Sequence, residues 1–219
     1  MVMATTVDVP RDTSALDAVL RLVLPRQRMH IQLEEPLSDG AFHALCARNE
    51  GLSIEQNPDG TLTLMSPTGG LSSARNSVIT RYLDEWSAEN KDGVSFDSNG
   101  LFKISTGSIR APDAAWVRRE RFMTLSESER EGILPLSPDF LIELRSPSDP
   151  LDVLKSKMNE YMRAGVRLGW LIDPLTETVS IYQPDTLRTT LDRPDTVAAE
   201  TVVNGFTLPM KRIWDPLAE

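Results

Sequence analysis

Pro138-Asp-Phe-Leu-Ile-Glu-Leu-Arg-Ser146 is the stretch on which the fold turns. Phe140, Leu141, Ile142 and Leu144 form a short apolar run, the pattern of a central β-strand covered on both faces. Glu143 interrupts it. Taking a lone carboxylate out of water costs several kcal/mol after relaxation, comparable with a domain's whole margin of stability. A cation must therefore compensate it, either a metal ion or a neighbouring base. Upstream, Ile109-Arg-Ala-Pro-Asp113-Ala-Ala-Trp-Val117 repeats the arrangement, with one acid directly after a proline in a second apolar strand. Two strands with one misplaced carboxylate each make a candidate site for a hard divalent cation.

Working outward, a helix is expected over Ala41–Arg48, capped by Ser38 or Asp39, with Phe42, Leu45 and Cys46 on one face. Leu52–Gln56 and Thr61–Met65 read as strands joined by Asn57-Pro-Asp-Gly60, in which Pro presets φ and Gly accepts a positive one. A long helix is predicted over Ser72–Glu89. Strands follow at Val94–Asp97 with a continuation at Leu101–Ile104, then at 109–117 and 139–145, with a polar helical excursion at Ser126–Glu131. Leu151–Ala164 reads as a second long helix closed by Gly165. Val166–Ile172 and Thr178–Tyr182 read as further strands, and Thr201–Trp214 as a strand with a short closing element. Residues 1–37 are expected to be an N-terminal arm, with a short amphipathic helix over Leu16–Leu24, ahead of one domain at 38–219. Helix, three strands, helix, strand is an α/β order with a mixed sheet flanked by helices.

The 219 residues are 40% hydrophobic and 25% charged, an ordinary globular composition long enough for a substantial core. A single cysteine, Cys46, excludes an internal disulfide and a cysteine metal cage, and fits a reducing cytoplasm. No run approaches a membrane span, and the N-terminus lacks the basic region of a secretory signal. The net charge of −9 argues against nucleic-acid binding by bulk electrostatics, so any such binding rests on local geometry. Two histidines without a nucleophile elbow disfavour a Ser-His-Asp hydrolase, and no P-loop or complete dinucleotide fingerprint is present.

The order α-β-β-β-α-β, with Pro112-Asp113 on the second core strand and Glu143 on the third, resembles the PD-(D/E)XK nuclease superfamily, with a restriction-endonuclease-like core. Within it, the chain is most similar to the Uma-two family of restriction endonucleases. The matching stretches are Asn57-Pro-Asp-Gly60, Met65-Ser-Pro-Thr-Gly-Gly70, Arg75-Asn-Ser77, Arg110–Val117, Pro138–Asp149, Lys157-Met158, Glu160-Tyr161 and Gly169-Trp-Leu-Ile-Asp-Pro174. They cover roughly residues 50–215. One position departs from the superfamily pattern: where it has a lysine two residues after the acid, this chain has Arg145. Arginine grips phosphate but does not release a proton at useful pH. In the Uma-two pattern the lysine moves to the following helix, which is Lys157 here. Helical angles place Lys157 about 70° and Lys155 about 90° from the centre of the Leu154–Met158–Tyr161 stripe, on opposite flanks. Geometry alone barely separates the two; the resemblance favours Lys157.

The resemblance implies a Mg²⁺- or Mn²⁺-dependent endonuclease acting on DNA. A homodimer is expected separately, since cutting both strands of a duplex needs two active sites related by its pseudo-two-fold. Asp113, Glu143 and the Leu144 carbonyl would hold the metal, and Lys157 would position water or stabilise developing charge. Glu55 matches a glutamate at the start of the family pattern and is a further candidate acid; as an isolated residue it reads as an exposed strand position before a turn. Ordinary readings stand beside these. Glu143 could form a salt bridge with Arg145, and Gly69-Gly70 could cradle a phosphate or simply make a tight turn. Arg110, Arg118, Arg119 and Arg121, with Lys103, could form a DNA-facing lip or a scattered solvated face. The alternative functions are a catalytically silent nucleic-acid-binding or protein-interaction module with this fold, and a hydrolase of a small phosphodiester.

Overall fold

The computed structural model describes residues 4–8, 19–23, 28–199 and 201–218. Two strands open it, β1 (Ala4–Asp8) and β2 (Val19–Val23), paired antiparallel. The helix expected over Leu16–Leu24 is thus corrected at 19–23, where β-branched Val19 and Val23 bracket a segment whose register is set by the facing strand. The remainder of that helix, with residues 1–3, 9–18 and 24–27 of the N-terminal arm, lies outside the described residues.

Next come β3 (Met29–Gln32), α1 (Asp39–Arg48), β4 (Ser53–Gln56) and β5 (Thr61–Met65). The Ser38 hydroxyl caps α1, accepting from the Ala41 N–H at 3.3 Å. Gly60 turns β4 into β5 at φ +83, a conformation a side chain would strain. Then follow α2 (Gly70–Asn90), β6 (Gly93–Phe96), β7 (Phe102–Lys103), β8 (Ile109–Arg110) and β9 (Ala114–Arg118). Here the structure departs from the sequence reading twice. The turn at Asp97–Gly100 redirects the chain, so 101–104 does not continue β6 but enters another sheet. Likewise 109–117 is two strands in two sheets, broken at Ala111-Pro112-Asp113, because Pro112 has no N–H to give a ladder.

The chain continues through α3 (Arg119–Met123) and α4 (Glu127–Glu131), the second opened by a Ser126–Glu129 capping box. It then forms β10 (Phe140–Leu144), α5 (Leu151–Arg163), β11 (Leu168–Asp173), β12 (Thr178–Tyr182) and β13 (Thr189–Asp192). Last are β14 (Thr196–Ala198), β15 (Thr207–Pro209) and α6 (Lys211–Trp214).

The central sheet has the order β13-β12-β11-β10-β9-β6 and is mixed: β10 runs parallel to β11, and every other pair is antiparallel. The core order is therefore α2, β6, β9, β10, α5, β11, the restriction-endonuclease-like arrangement. β10 alternates between two cores. Phe140, Ile142 and Leu144 pack toward α2, with Trp116, Trp170 and Phe206. Leu141 packs toward α5, with Leu154, Met158 and Tyr161. Glu143 shares Leu141's face, so it points at α5. Gly169 lets α5 lie close on β11, since a Cβ there would fall 2.6 Å from Met158 Cε. A second sheet, β3-β5-β4-β8-β7, packs against α1 through Phe42, Leu45, Ile54, Leu62 and Leu64. Among the described residues no helix is long and apolar enough to cross a membrane.

Candidate active site

The break between β8 and β9 builds the site. Beyond the last β9–β10 pair, Ile142 with Ala114, the Leu144 N–H finds no strand carbonyl and donates to Asp113 Oδ2 at 2.8 Å. On the other side of the break, the Ala111 N–H donates to Glu55 Oε1 at 3.2 Å. Two backbone N–H groups beside the break are thus satisfied by two carboxylates, Asp113 in the break itself and Glu55 on β4.

Lys157 joins them. Its ammonium lies 2.8 Å from Glu143 Oε1 and 2.7 Å from Glu55 Oε1, and the Tyr161 O–H donates to Glu143 Oε1 at 2.9 Å. Lys157 is one helical turn before Tyr161 and buried beside Leu154 and Met158, so α5 presents it to the sheet. Behind Glu55 stands Arg110, 3.7 Å from Glu55 Oε2 and 2.7 Å from Glu160 Oε2, which also accepts from the Arg110 Nε at 3.0 Å. Arg110 Nη2 donates to Asn57 Oδ1 at 2.7 Å, tying the network to the β4–β5 turn.

The electrostatics divide the cluster. Burial and the neighbouring Glu143 push the Asp113 carboxyl up to about 7. Burial raises Glu143 too, and Lys157 offsets only part of that. For Glu55, burial is outweighed by Lys157 and Arg110, which hold its carboxyl below the usual range. Burial also opposes the charge on Lys157, but Glu143 and Glu55 prevail and keep the ammonium protonated. Burial lifts the Tyr161 phenol well above its normal value, so it remains a donor.

Asp113, Glu143, Leu144 and Lys157 line a cleft of about 1310 Å³, whose walls include His43, Glu50, Gly69, Gly70, Asn76 and Asp149. Of the expected site residues, Asp113, Glu143, Leu144, Lys157 and Glu55 are all brought together. Glu55 is buried, not an exposed strand residue. Arg145 does not pair with Glu143; it points to Asp173 at 2.7 Å. The arginine lip is corrected as well. None of Lys103, Arg110, Arg118, Arg119 and Arg121 lines the cleft, because Arg110 is buried on Glu160 and Arg121 is drawn to Asp139 at 2.8 Å. The sequence reading missed the contacts of Glu160 with Arg110, Tyr161 with Glu143 and Asn76 with Asp113. The spacing Lys157–Glu160–Tyr161 on one helix was the available signal for the first two.

The site suits a hard cation in its chemistry. Among the described residues no three His, Cys, Asp or Glu side chains converge on one point, but Mg²⁺ is commonly held by only one or two carboxylates, with waters and substrate phosphates supplying the rest. Asp113, Glu143, Glu55 and Glu160 set four carboxylates against the two cations Lys157 and Arg110. With all of them ionised, the excess is the charge of one divalent ion.

No curated protein matches the chain. A solved structure from Anabaena variabilis ATCC 29413, described as "a putative nuclease belonging to DUF820", is similar with a TM-score of 0.67 at 20% identity, covering 82% of this chain and 98% of that one. At that identity the likeness speaks for the fold. The model of the Uma2 family, described as "Putative restriction endonuclease", matches residues 39–211, which takes in α1 through the start of α6 and every residue of the cluster. The chain belongs to the Uma2 family.

Proposed function

We propose that the protein is a divalent-metal-dependent endonuclease that hydrolyses phosphodiester bonds of DNA. The observation that carries this reading is that two buried carboxyls at the wall of an open cleft, Asp113 and Glu143, have a single ammonium between them, that of Lys157, which is also shared with Glu55. A purely structural cluster would be expected to balance its own charge, because unpaired buried carboxylates cost several kcal/mol. A divalent cation bound there would polarise a phosphodiester and lower the pKa of a bound water.

In this reading Asp113 and Glu143 are the anionic ligands, with the Leu144 carbonyl as a neutral one. The chain's own residues do the rest. Lys157, held protonated by Glu143 and Glu55, orients the attacking water and meets the charge that develops on the phosphate. Glu55 acts on Lys157 rather than on a metal: both its oxygens already face cations or a backbone N–H. Tyr161 fixes the rotamer of Glu143. The family description, restriction endonuclease, supports DNA as the substrate.

The test is incubation of the purified chain with supercoiled plasmid, with Mn²⁺ or with chelator. Nicking is expected only with the metal. Asp113→Asn and Glu143→Gln are expected to abolish it while circular dichroism stays that of the folded protein. Wild-type nicking by either variant would remove the assigned site.

The reading extends to a symmetric homodimer. Cutting both strands of a duplex calls for two sites related by its pseudo-two-fold, which a C₂ pair supplies. Light scattering over a concentration series in moderate salt checks this, and the mass of a single chain throughout would refute it.

A further inference from the structure

Asn76 occupies the second turn of α2, where the stripe running through Ile79 and Leu83 would extend as an apolar residue. An amide stands there instead, lining the cleft with Asp113 and Glu143. Its Nδ2 donates to Asp113 Oδ1 at 3.2 Å. In that bond the carboxamide gives its N–H to Asp113, so its oxygen faces another way. The Asn76 Oδ1 is left buried, with no hydrogen-bond donor. The other buried side-chain atoms in this state among the described residues are N–H groups, of Trp116, Trp170 and Arg130; Asn76 Oδ1 is the one acceptor. Leaving a buried acceptor unsatisfied costs about 1–3 kcal/mol.

We propose that the Asn76 carboxamide oxygen is a third side-chain ligand of the divalent cation, beside Asp113 and Glu143. This inference rests on the cation reading above. A carboxamide oxygen is a hard ligand of the kind Mg²⁺ and Mn²⁺ take. Being neutral, it adds a coordinating oxygen without enlarging the negative excess, which a third carboxylate would do. The bond from Nδ2 to Asp113 then does two things: it aims Oδ1 and holds the Asp113 carboxylate for the metal, a ligand and its support on one side chain. The α2 helix, which packs on the sheet face opposite α5, thereby contributes to a site that would otherwise be built from the strands and α5.

The test is calorimetric titration of Mn²⁺ into the full chain as wild type, Asn76→Ala and Asn76→Asp. Asn76→Ala removes the ligand oxygen and the donor together, and is expected to weaken binding by about tenfold or more. Asn76→Asp loses the donor to Asp113 but keeps an oxygen in place, and is expected to bind at least as tightly as wild type. If both variants weaken binding alike, Asn76 serves only as a donor to Asp113 and the proposal is overturned. Binding by Asn76→Ala within threefold of wild type overturns it as well. A wild-type chain that takes up no Mn²⁺ fails at the earlier step, bringing down the cation reading and this inference with it.

Discussion

The two ends of one buried charge cluster behave oppositely. At the inner end, Arg110 pairs closely with Glu160 and stands 3.7 Å from Glu55, and the carboxyl of Glu55 is held below its usual range. At the cleft end, burial raises both carboxyls, with Glu143 adding to the rise of Asp113 and Glu55 to that of Glu143, and Asp113 reaches about 7 although the same Lys157 stands nearby. Both ends are buried and both are hydrogen-bonded. They differ in the count of cations, and that difference separates a scaffold from a site. The inner end is satisfied by the protein's own cations; the outer end is the one to which the proposed cation is assigned.

Lys157 joins the two ends, so changing it should have the largest effect. Lys157→Ala leaves two buried carboxylates without their shared partner, and loss of one member of a buried pair costs about 3–5 kcal/mol. Urea denaturation should show that loss, and plasmid nicking by the folded fraction should fall about 10²–10⁴-fold. Arg110→Ala comes next. It should destabilise by a similar few kcal/mol in the same denaturation experiment. Its Mn²⁺ affinity should not weaken, because the inner end holds no metal. Weakened affinity would mean the two ends are not separable.

A smaller effect tests the outer end alone. The Asp113 pKa is about 7 in the folded chain, against 3.8 for the free side chain, so the folded state binds more protons between those values. Stability from this group is therefore highest below pH 3.8 and declines as pH rises toward 7. Without metal, Asp113→Asn should raise the melting temperature by about 2–4 °C at pH 8, the shift expected for a gain of about 1 kcal/mol in a domain of this size. The gain should vanish near pH 4, and differential scanning calorimetry at the two pH values checks it. The smallest effect belongs to Lys155→Ala, on the same helix but outside the cleft lining. It should change stability by less than about 0.5 kcal/mol and leave nicking unchanged.

Much of this was legible in the sequence because the anomalies were local. Glu143 in an apolar run and Asp113 after Pro112 are visible without a fold, and the helix–strand order falls out of periodicity. Helical angles alone did not separate Lys157 from Lys155. The packing does, because Leu154, Met158 and Tyr161 seat α5 on β11 over Gly169, and that orientation sends Lys157 into the sheet. What stayed hidden was non-local. That 109–117 spans two sheets depends on where Asp97–Gly100 sends the chain. Arg110 reads as a surface cation until Glu160, fifty residues later, is placed against it. Glu55 and Asn76 look like polar residues at element surfaces, and only the meeting of the two sheets with α2 buries Glu55 and the Asn76 Oδ1.

Equilibrium binding of Mn²⁺ to the wild-type chain, measured by calorimetry at pH 8 and at pH 5.5, tests the central claim most directly. One ion per chain should bind at pH 8, and more weakly at pH 5.5, where a proton competes for Asp113; Asp113→Asn should bind none. Absence of binding at pH 8, or binding that survives Asp113→Asn undiminished, would contradict the account.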